Sequence, residues 1–190
     1  MAAADAVAAA ESQAVRAARE PEVMNPTIEE RNLLSHFLAA IAYRTQKALR
    51  GARPNFSQFR AGPETRTPHE LVNHMTSVLG YATTFFVGGA YRPELFPDFS
   101  AEIARLHDTL TQLKSHILDS GKWATISVQQ LLQGPLADAM THAGQLAMLR
   151  RLSGDPVPPE NFIFAAVSSD NLGPDQAQPV APDAVWPEAP

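Results

Sequence analysis

An acid and an imidazole four residues apart form the most chemically suggestive pair in the sequence. Asp138 and His142 lie between Pro135 and Gly154, and a proline near the start with a glycine just past the end is typical of one helix. Residues four apart project from the same helical face, and Gln145 continues that face by a further turn. The carboxylate and the imidazole can therefore both contact one small ligand held between this helix and a neighbouring helix.

His74 supplies a third candidate ligand from an earlier helix. It falls on an apolar stripe with Leu71 and Met75, so its imidazole is predicted to face inward. A carboxylate that faces a bundle core is costly to bury unless it is paired or binds a cation. His74, Asp138 and His142 would then hold a divalent metal, since catalytic zinc sites commonly use three protein ligands and leave one position open for water. A buried hydrogen-bonded pair of Asp138 and His142, with His74 merely nearby, fits the same spacing equally well.

The other four histidines are predicted to stay outside the site. His36, His107 and His116 lie beside the apolar stripes of their helices, where solvated or rim positions are expected. His69 occupies the first turn of its helix, which is predicted to be exposed. The chain has no phosphate-binding glycine loop, no Gly-x-Ser-x-Gly turn and no His-Glu-x-x-His pair. The inward triad is therefore the feature on which a functional hypothesis depends.

Four amphipathic segments are predicted to form the helices that position these residues. Capping boxes mark the first two starts, and apolar residues recur at three- and four-residue spacing in each segment. The predicted helices begin at Thr27, Thr67, Ser100 and Gly134-Pro135, and they end near Arg50, Gly88, Asp119 and Gly154. Because almost no strand pattern competes, the sequence predicts an all-α protein, a four-helix bundle.

The bundle is expected to occupy residues 26–167, between two extensions. Residues 1–25 are alanine-rich and lack the basic start of a secretory signal. Residues 88–99 form a long connection that is expected to carry the chain to the opposite end of the bundle. Residues 161–167 are apolar and are expected to lie across the bundle. Residues 168–190 are rich in proline, aspartate and alanine, and they are predicted to form a tail unless Trp186 finds a pocket.

Composition excludes several classes of function. A formal net charge of −5 gives no electrostatic basis for binding nucleic acid or an anionic membrane. The absence of cysteine rules out disulfides, thiolate ligands and a cysteine nucleophile. No apolar run approaches the roughly 20 residues that a membrane-spanning helix requires. We therefore expect a cytoplasmic protein.

Two segments together resemble a known family. Thr67-Pro-His-Glu-Leu-Val-Asn-His74, followed by Asp138-Ala-Met-Thr-His142-Ala-Gly-Gln145-Leu-Ala-Met-Leu-Arg-Arg-Leu-Ser-Gly154, is similar to the DinB/YfiT-like (damage-inducible) family of metalloenzymes. The resemblance spans residues 27–165, and its most specific part is the His-x-Gly-Gln-x-x-x-Leu-Arg-Arg-x-x-Gly segment.

The resemblance implies an up-down-down-up four-helix bundle that binds a divalent metal, usually nickel or zinc, through three histidines. His74 and His142 match two of them, whereas Asp138 replaces the third and so departs from the family pattern. Two histidines and one carboxylate also suit iron(II) or manganese, which leaves the identity of the metal open. Gln145 either orients a metal-ligating group through a hydrogen bond or simply links helices.

The resemblance also implies an activity. Characterised members of the wider family include thiol-dependent S-transferases and a mycothiol-dependent maleylpyruvate isomerase. We therefore expect a small-molecule substrate and a transferase or hydrolase whose metal activates a low-molecular-weight thiol or water. Many relatives are homodimers, and residues 161–167 are a candidate contact. The alternatives are a non-catalytic metal-binding or dimerising bundle and, less favoured, an iron(II) oxygenase.

Overall fold

Helices make up the regular structure of the protein. The computed structural model describes residues 25–123 and 125–180. Its helices are α1 (Ile28–Leu49), α2 (Pro68–Val87), α3 (Phe99–Leu118), α4 (Val128–Leu131) and α5 (Ala137–Leu152), with a π-helical turn, Leu132–Leu136, between the last two. No strand occurs within these described ranges. The predicted all-α bundle is confirmed.

The first two helices begin where their capping boxes predict. Thr27 accepts a hydrogen bond from the backbone N–H of Glu30, and the Glu30 carboxylate accepts one from the backbone of Thr27. Thr67 and Glu70 repeat the arrangement before α2, with Pro68 as the first helical residue. These caps satisfy amide groups that the helix ends would otherwise leave unpaired.

The other two helices begin earlier than the sequence predicts. Asp98, not Ser100, caps α3, because its carboxylate accepts the backbone N–H of Ala101. Gly134-Pro135 does not start a helix. Ser127 caps α4 through a box with Gln130, and the proline lies inside the π-helical turn. Proline has no N–H to donate, so one α-helical bond is missing here, and the Ala137 N–H donates to the carbonyls of Gly134 and of Leu132, the latter five residues earlier.

The helices follow one another around the bundle in the order α1, α3, α2, α5. His69 and Phe99, near the starts of α2 and α3, pack together with ring centroids 5.3 Å apart, so these two helices are parallel. Arg150, near the end of α5, donates to the carbonyl of Ala48 at the end of α1, so this pair is parallel as well. Thr125, just before α4, donates to a carbonyl in the last turn of α2. The topology is therefore up-down-down-up.

The connection at 88–98 returns the chain to the end of the bundle where α2 began, as predicted. It runs back beside α2, and the ring of Tyr91 lies so close to Gly80 that a Cβ there would come within 2.2 Å of it. Near the end of the connection, Arg105 of α3 donates to the carbonyl of Glu94 and pairs with the buried carboxylate of Glu102. The connection is thus packed against both helices that it joins.

The chain after α5 also packs on the bundle as far as it is described. Contrary to the predicted tail, residues 168–180 are held by side chains of the helices. Lys114 donates to the carbonyl of Ser169, Arg50 donates to that of Gln176, and Leu172 is buried. Hydrogen bonds to backbone carbonyls hold this segment in place, so its lack of large apolar residues did not correctly predict an unpacked tail. Trp186 and residues 1–24 lie outside the described residues.

The apolar segment at 161–167 covers the bundle only in part. Phe162 packs edge-on against Tyr43, and the Arg44 guanidinium lies 3.7 Å from the centre of its ring. The next two side chains, Ile163 and Phe164, are 85% and 61% exposed. Within the described residues, no helix has the length and apolar character needed to cross a membrane.

Candidate metal centre

The three predicted ligands come together at the α2–α5 interface. Each of His74, Asp138 and His142 offers one ligand atom, and these atoms lie within 4.8 Å of one another. The two imidazole rings meet edge-on, with centroids 4.8 Å apart. Antiparallel packing of α2 and α5 creates this convergence, because one turn of α2 faces two successive turns of α5.

Gln145 determines which nitrogen of His142 faces the site. The His142 Nδ1–H donates to Gln145 Oε1 over 2.8 Å, so in the neutral imidazole Nε2 carries the lone pair. Nε2 is buried and has no hydrogen-bond partner among the described residues, although Asp138 Oδ1 lies 3.2 Å away. The two atoms are within hydrogen-bond distance, yet no hydrogen bond joins them. In the neutral imidazole both atoms are electron-pair donors, so a cation or a proton between them would remove their repulsion.

The separations fit a tetrahedral zinc-like ion. Imidazole nitrogen and carboxylate oxygen bind zinc at about 2.0–2.2 Å, so two such ligands lie about 3.4 Å apart at the tetrahedral angle. The 3.2 Å between His142 Nε2 and Asp138 Oδ1 already agrees with that value. The widest of the three pairs would have to shorten by at most about 1.4 Å. Rotation of the half-buried His74 side chain can supply this movement.

Burial across the triad is uneven. The His142 side chain is 9% exposed, whereas that of Asp138 is 48% exposed. His74 is half-buried. The triad therefore forms a one-sided site, with its fixed wall at His142 and its open side at Asp138, rather than a closed structural site.

Two grooves open beside the triad and meet at Ser77. The larger has a volume of about 640 Å³, reaches Asp138 and is bordered by Val78 and Tyr81. The smaller has a volume of about 470 Å³, reaches His74 and contains charged side chains. Either groove is large enough to admit a small molecule to the ligand atoms.

Electrostatics keep His74 in its ligating form. Partial burial lowers the pKa of His74, and the nearby Arg66 and His142 lower it further, with Asp138 opposing them. The imidazole is therefore neutral at pH 7 and has a lone pair available. A metal requires this form, because a protonated imidazole cannot coordinate.

The remaining histidines lie apart from the triad, but two predictions about their burial are wrong. His69 is buried because the start of α3 covers it. His107 is buried because the segment 168–180 covers it, and its Nδ1–H donates to the carbonyl of Leu172. His36 is exposed, and His116 stacks on Phe86 at the rim, both as expected.

Comparisons of the chain with protein-family models, curated proteins and solved structures found no match. The site must therefore be judged on its own geometry. Two imidazoles and one carboxylate, with an open side and two adjoining grooves, form a group that can hold a metal ion. The identity of that ion does not follow from the ligand set, which suits zinc, nickel, iron(II) and manganese.

Proposed function

We propose that the protein is a divalent-metal-dependent enzyme of the DinB/YfiT-like kind, a transferase or hydrolase that acts on a small molecule. One observation carries the proposal: His142 Nε2, which has no hydrogen-bond partner among the described residues, lies 3.2 Å from Asp138 Oδ1. His74 completes the set of ligand atoms within 4.8 Å. The up-down-down-up topology, which the resemblance implies, supports the same conclusion.

His74, Asp138 and His142 would hold the metal, with Gln145 keeping His142 in the tautomer that ligates. A bound divalent metal lowers the pKa of water or of a thiol and so supplies a nucleophile at neutral pH. The half-exposed Asp138 and the two grooves leave one side for the substrate. The buried His142 fixes the opposite side, so a reacting molecule approaches from one direction.

This one-sided arrangement favours a catalytic site over a purely structural one. Structural zinc sites close all four positions with protein ligands, whereas catalytic sites commonly use three. A non-catalytic metal-binding bundle remains the competing function. It would show metal binding without any dependence of a reaction rate on the ligands.

Metal content is the direct test. We expect the purified chain to contain close to one equivalent of zinc or nickel, and the triple variant His74→Ala/Asp138→Ala/His142→Ala to contain almost none. Chelation should lower the melting temperature of the wild type and leave that of the triple variant unchanged, because only the former has metal to lose. Equal, negligible metal in both proteins would disprove the proposal.

We also propose that the protein is a homodimer that uses Ile163 and Phe164. Their side chains are 85% and 61% exposed on a turn anchored by Phe162. Two adjacent exposed apolar side chains form a patch whose burial against a second copy would be favourable. Sedimentation velocity should show a dimer for the wild type and a monomer for Ile163→Ser/Phe164→Ser; a monomeric wild type would disprove the contact.

A further inference from the structure

The smaller groove beside the triad contains an arginine that forms no ion pair among the described residues. Arg60 and Arg66 both line this groove together with His74. Arg60 is neutralised, because its Nη2 lies 3.0 and 3.1 Å from the two carboxylate oxygens of Glu70. Arg66 is exposed and forms no ion pair with any residue in the described ranges. The two arginines therefore differ in their availability to a ligand.

Arg66 lines the same groove as His74, so its charge lies beside the triad. Glu64 also lines this groove, but among the described residues it forms no ion pair with Arg66. A cation beside a metal site opposes metal binding by repulsion. A negative group placed between the two would be attracted by both.

We propose that the site takes a small anionic molecule, with one acidic group held by Arg66 in the groove that His74 borders. The molecule reaches the His74–Asp138–His142 triad with its other end. A divalent metal together with Asp138 has a net charge of one positive unit, to which Arg66 adds a second. An acidic ligand such as a carboxylate or a phosphate ester neutralises this excess, and guanidinium recognises both groups through paired hydrogen bonds. The inference rests on the proposed function for its metal-binding end.

Succinate and succinamate form a matched pair of probes for the test. Each has one carboxylate for the triad, but only succinate has a second carboxylate for Arg66. Both would be titrated into the zinc-loaded, ¹⁵N-labelled full chain, following the amide signals of Asn73 and Ser77 and the Nε–H signal of Arg66. We expect succinate to bind about fivefold or more tightly, which exceeds the twofold factor due to its two equivalent carboxylates.

The variant Arg66→Gln should abolish this preference and leave the affinity for succinamate within about twofold. Arg151→Gln is the matched control, since Arg151 is exposed and lies on α5 about three and a half helical turns beyond Asp138. It removes the same charge and should leave the preference intact. If zinc is bound and the two probes bind equally, or if both variants behave alike, the anion site is wrong while the metal site of the proposed function stands.

The reverse failure is equally recognisable. If the chain binds no zinc, the proposed function fails, and the same titration on the metal-free chain decides the anion site alone. A preference for succinate that disappears in Arg66→Gln then supports the site. Absence of that preference overturns it.

Discussion

Replacing Asp138 by asparagine separates a metal site from a packing contact. The side chain is 48% exposed and forms no hydrogen bond within the described residues, and His142 Nε2 lies 3.2 Å away. Asparagine has nearly the same shape, so the fold should be unaffected. A half-exposed Asp–His pair contributes at most about 1 kcal/mol, and the free energy of unfolding of the metal-free chain should change by no more than that.

The effect on metal affinity should be far larger. A unit negative charge about 2 Å from a divalent cation interacts by about 4 kcal/mol even at the dielectric constant of water. That energy corresponds to roughly a thousandfold change in the dissociation constant. The amide oxygen of asparagine remains a neutral ligand and recovers part of the loss. We therefore expect Asp138→Asn to weaken zinc binding by about a hundredfold or more.

Competition with a chromophoric zinc chelator measures this change directly, and urea unfolding of the metal-free proteins measures stability. Asp170→Asn is the control, because the Asp170 side chain is 95% exposed and pairs with Lys114, away from the triad. Equal zinc affinity in Asp138→Asn and the wild type would refute the reasoning. So would a large loss of stability without any metal, since that outcome identifies the pair as a packing contact.

Three further predictions follow from individual contacts. Gly80→Ala should lower the free energy of unfolding by about 1–3 kcal/mol, because the new Cβ would come within 2.2 Å of the Tyr91 ring. At Gly144 nothing lies within 4 Å of a new Cβ, so Gly144→Ala should instead raise the free energy of unfolding slightly. Urea titration of both variants measures the two changes, and changes of the same sign would contradict this prediction. Burial lowers the pKa of His107 below its usual value, so the folded protein binds fewer protons at this imidazole than the unfolded protein does. The free energy of unfolding should therefore fall as the pH drops below about 6.5. Chemical unfolding at several pH values should show a shallower fall for His107→Gln; identical slopes would contradict the assignment. Gln145→Leu should weaken zinc binding about 10–100-fold, because it removes the hydrogen bond that orients the His142 imidazole. The same chelator competition measures this change, and an unchanged affinity would show that Gln145 only links helices.

The parts of the fold that depend on local chemistry were predictable from the sequence. The starts of α1 and α2 follow from Thr27 and Thr67, whose capping boxes involve residues only three positions apart. The start of α3 was misplaced by two residues, because Asp98 and Ser100 are both good caps and only the path of the preceding chain selects one. The reciprocal box of Ser127 and Gln130 before α4 is equally local, but it was missed because Gly134-Pro135 was interpreted as the start.

The same distinction applies to the candidate site. Asp138 and His142 lie on one helix, so their common face could be predicted from their spacing. The apolar stripe around His74 correctly predicted that its side chain faces inward, toward the other two. His69 and His107 are buried by segments distant in sequence, so the apolar stripe of a single helix could not predict their burial. Arg66 belonged to no periodic pattern, and only the groove that it shares with His74 identifies it.

The π-helical turn explains why Pro135 was mistaken for a helix start. Leu131 and Leu136 are both fully buried although they are five residues apart, a spacing that one face of an α-helix does not accommodate. The extra residue in the turn brings both side chains to the core, and α5 then resumes the ordinary three- and four-residue spacing through His142. The turn therefore sets the rotation of α5 and, with it, the direction in which the metal-ligand face points.

Deleting Pro135 tests this reasoning. The deletion removes the proline together with the extra residue, so the turn can close into an ordinary α-helix with the residues on either side keeping their faces. We expect zinc affinity to stay within about threefold of the wild type, since the ligand geometry is retained. Deleting Gly144 is the matched control, because one residue lost from the regular part of α5 rotates all that follows by about 100° and turns Leu146 out of the core. If the two deletions lowered the free energy of unfolding equally, the turn would not be the device that sets the rotation of α5.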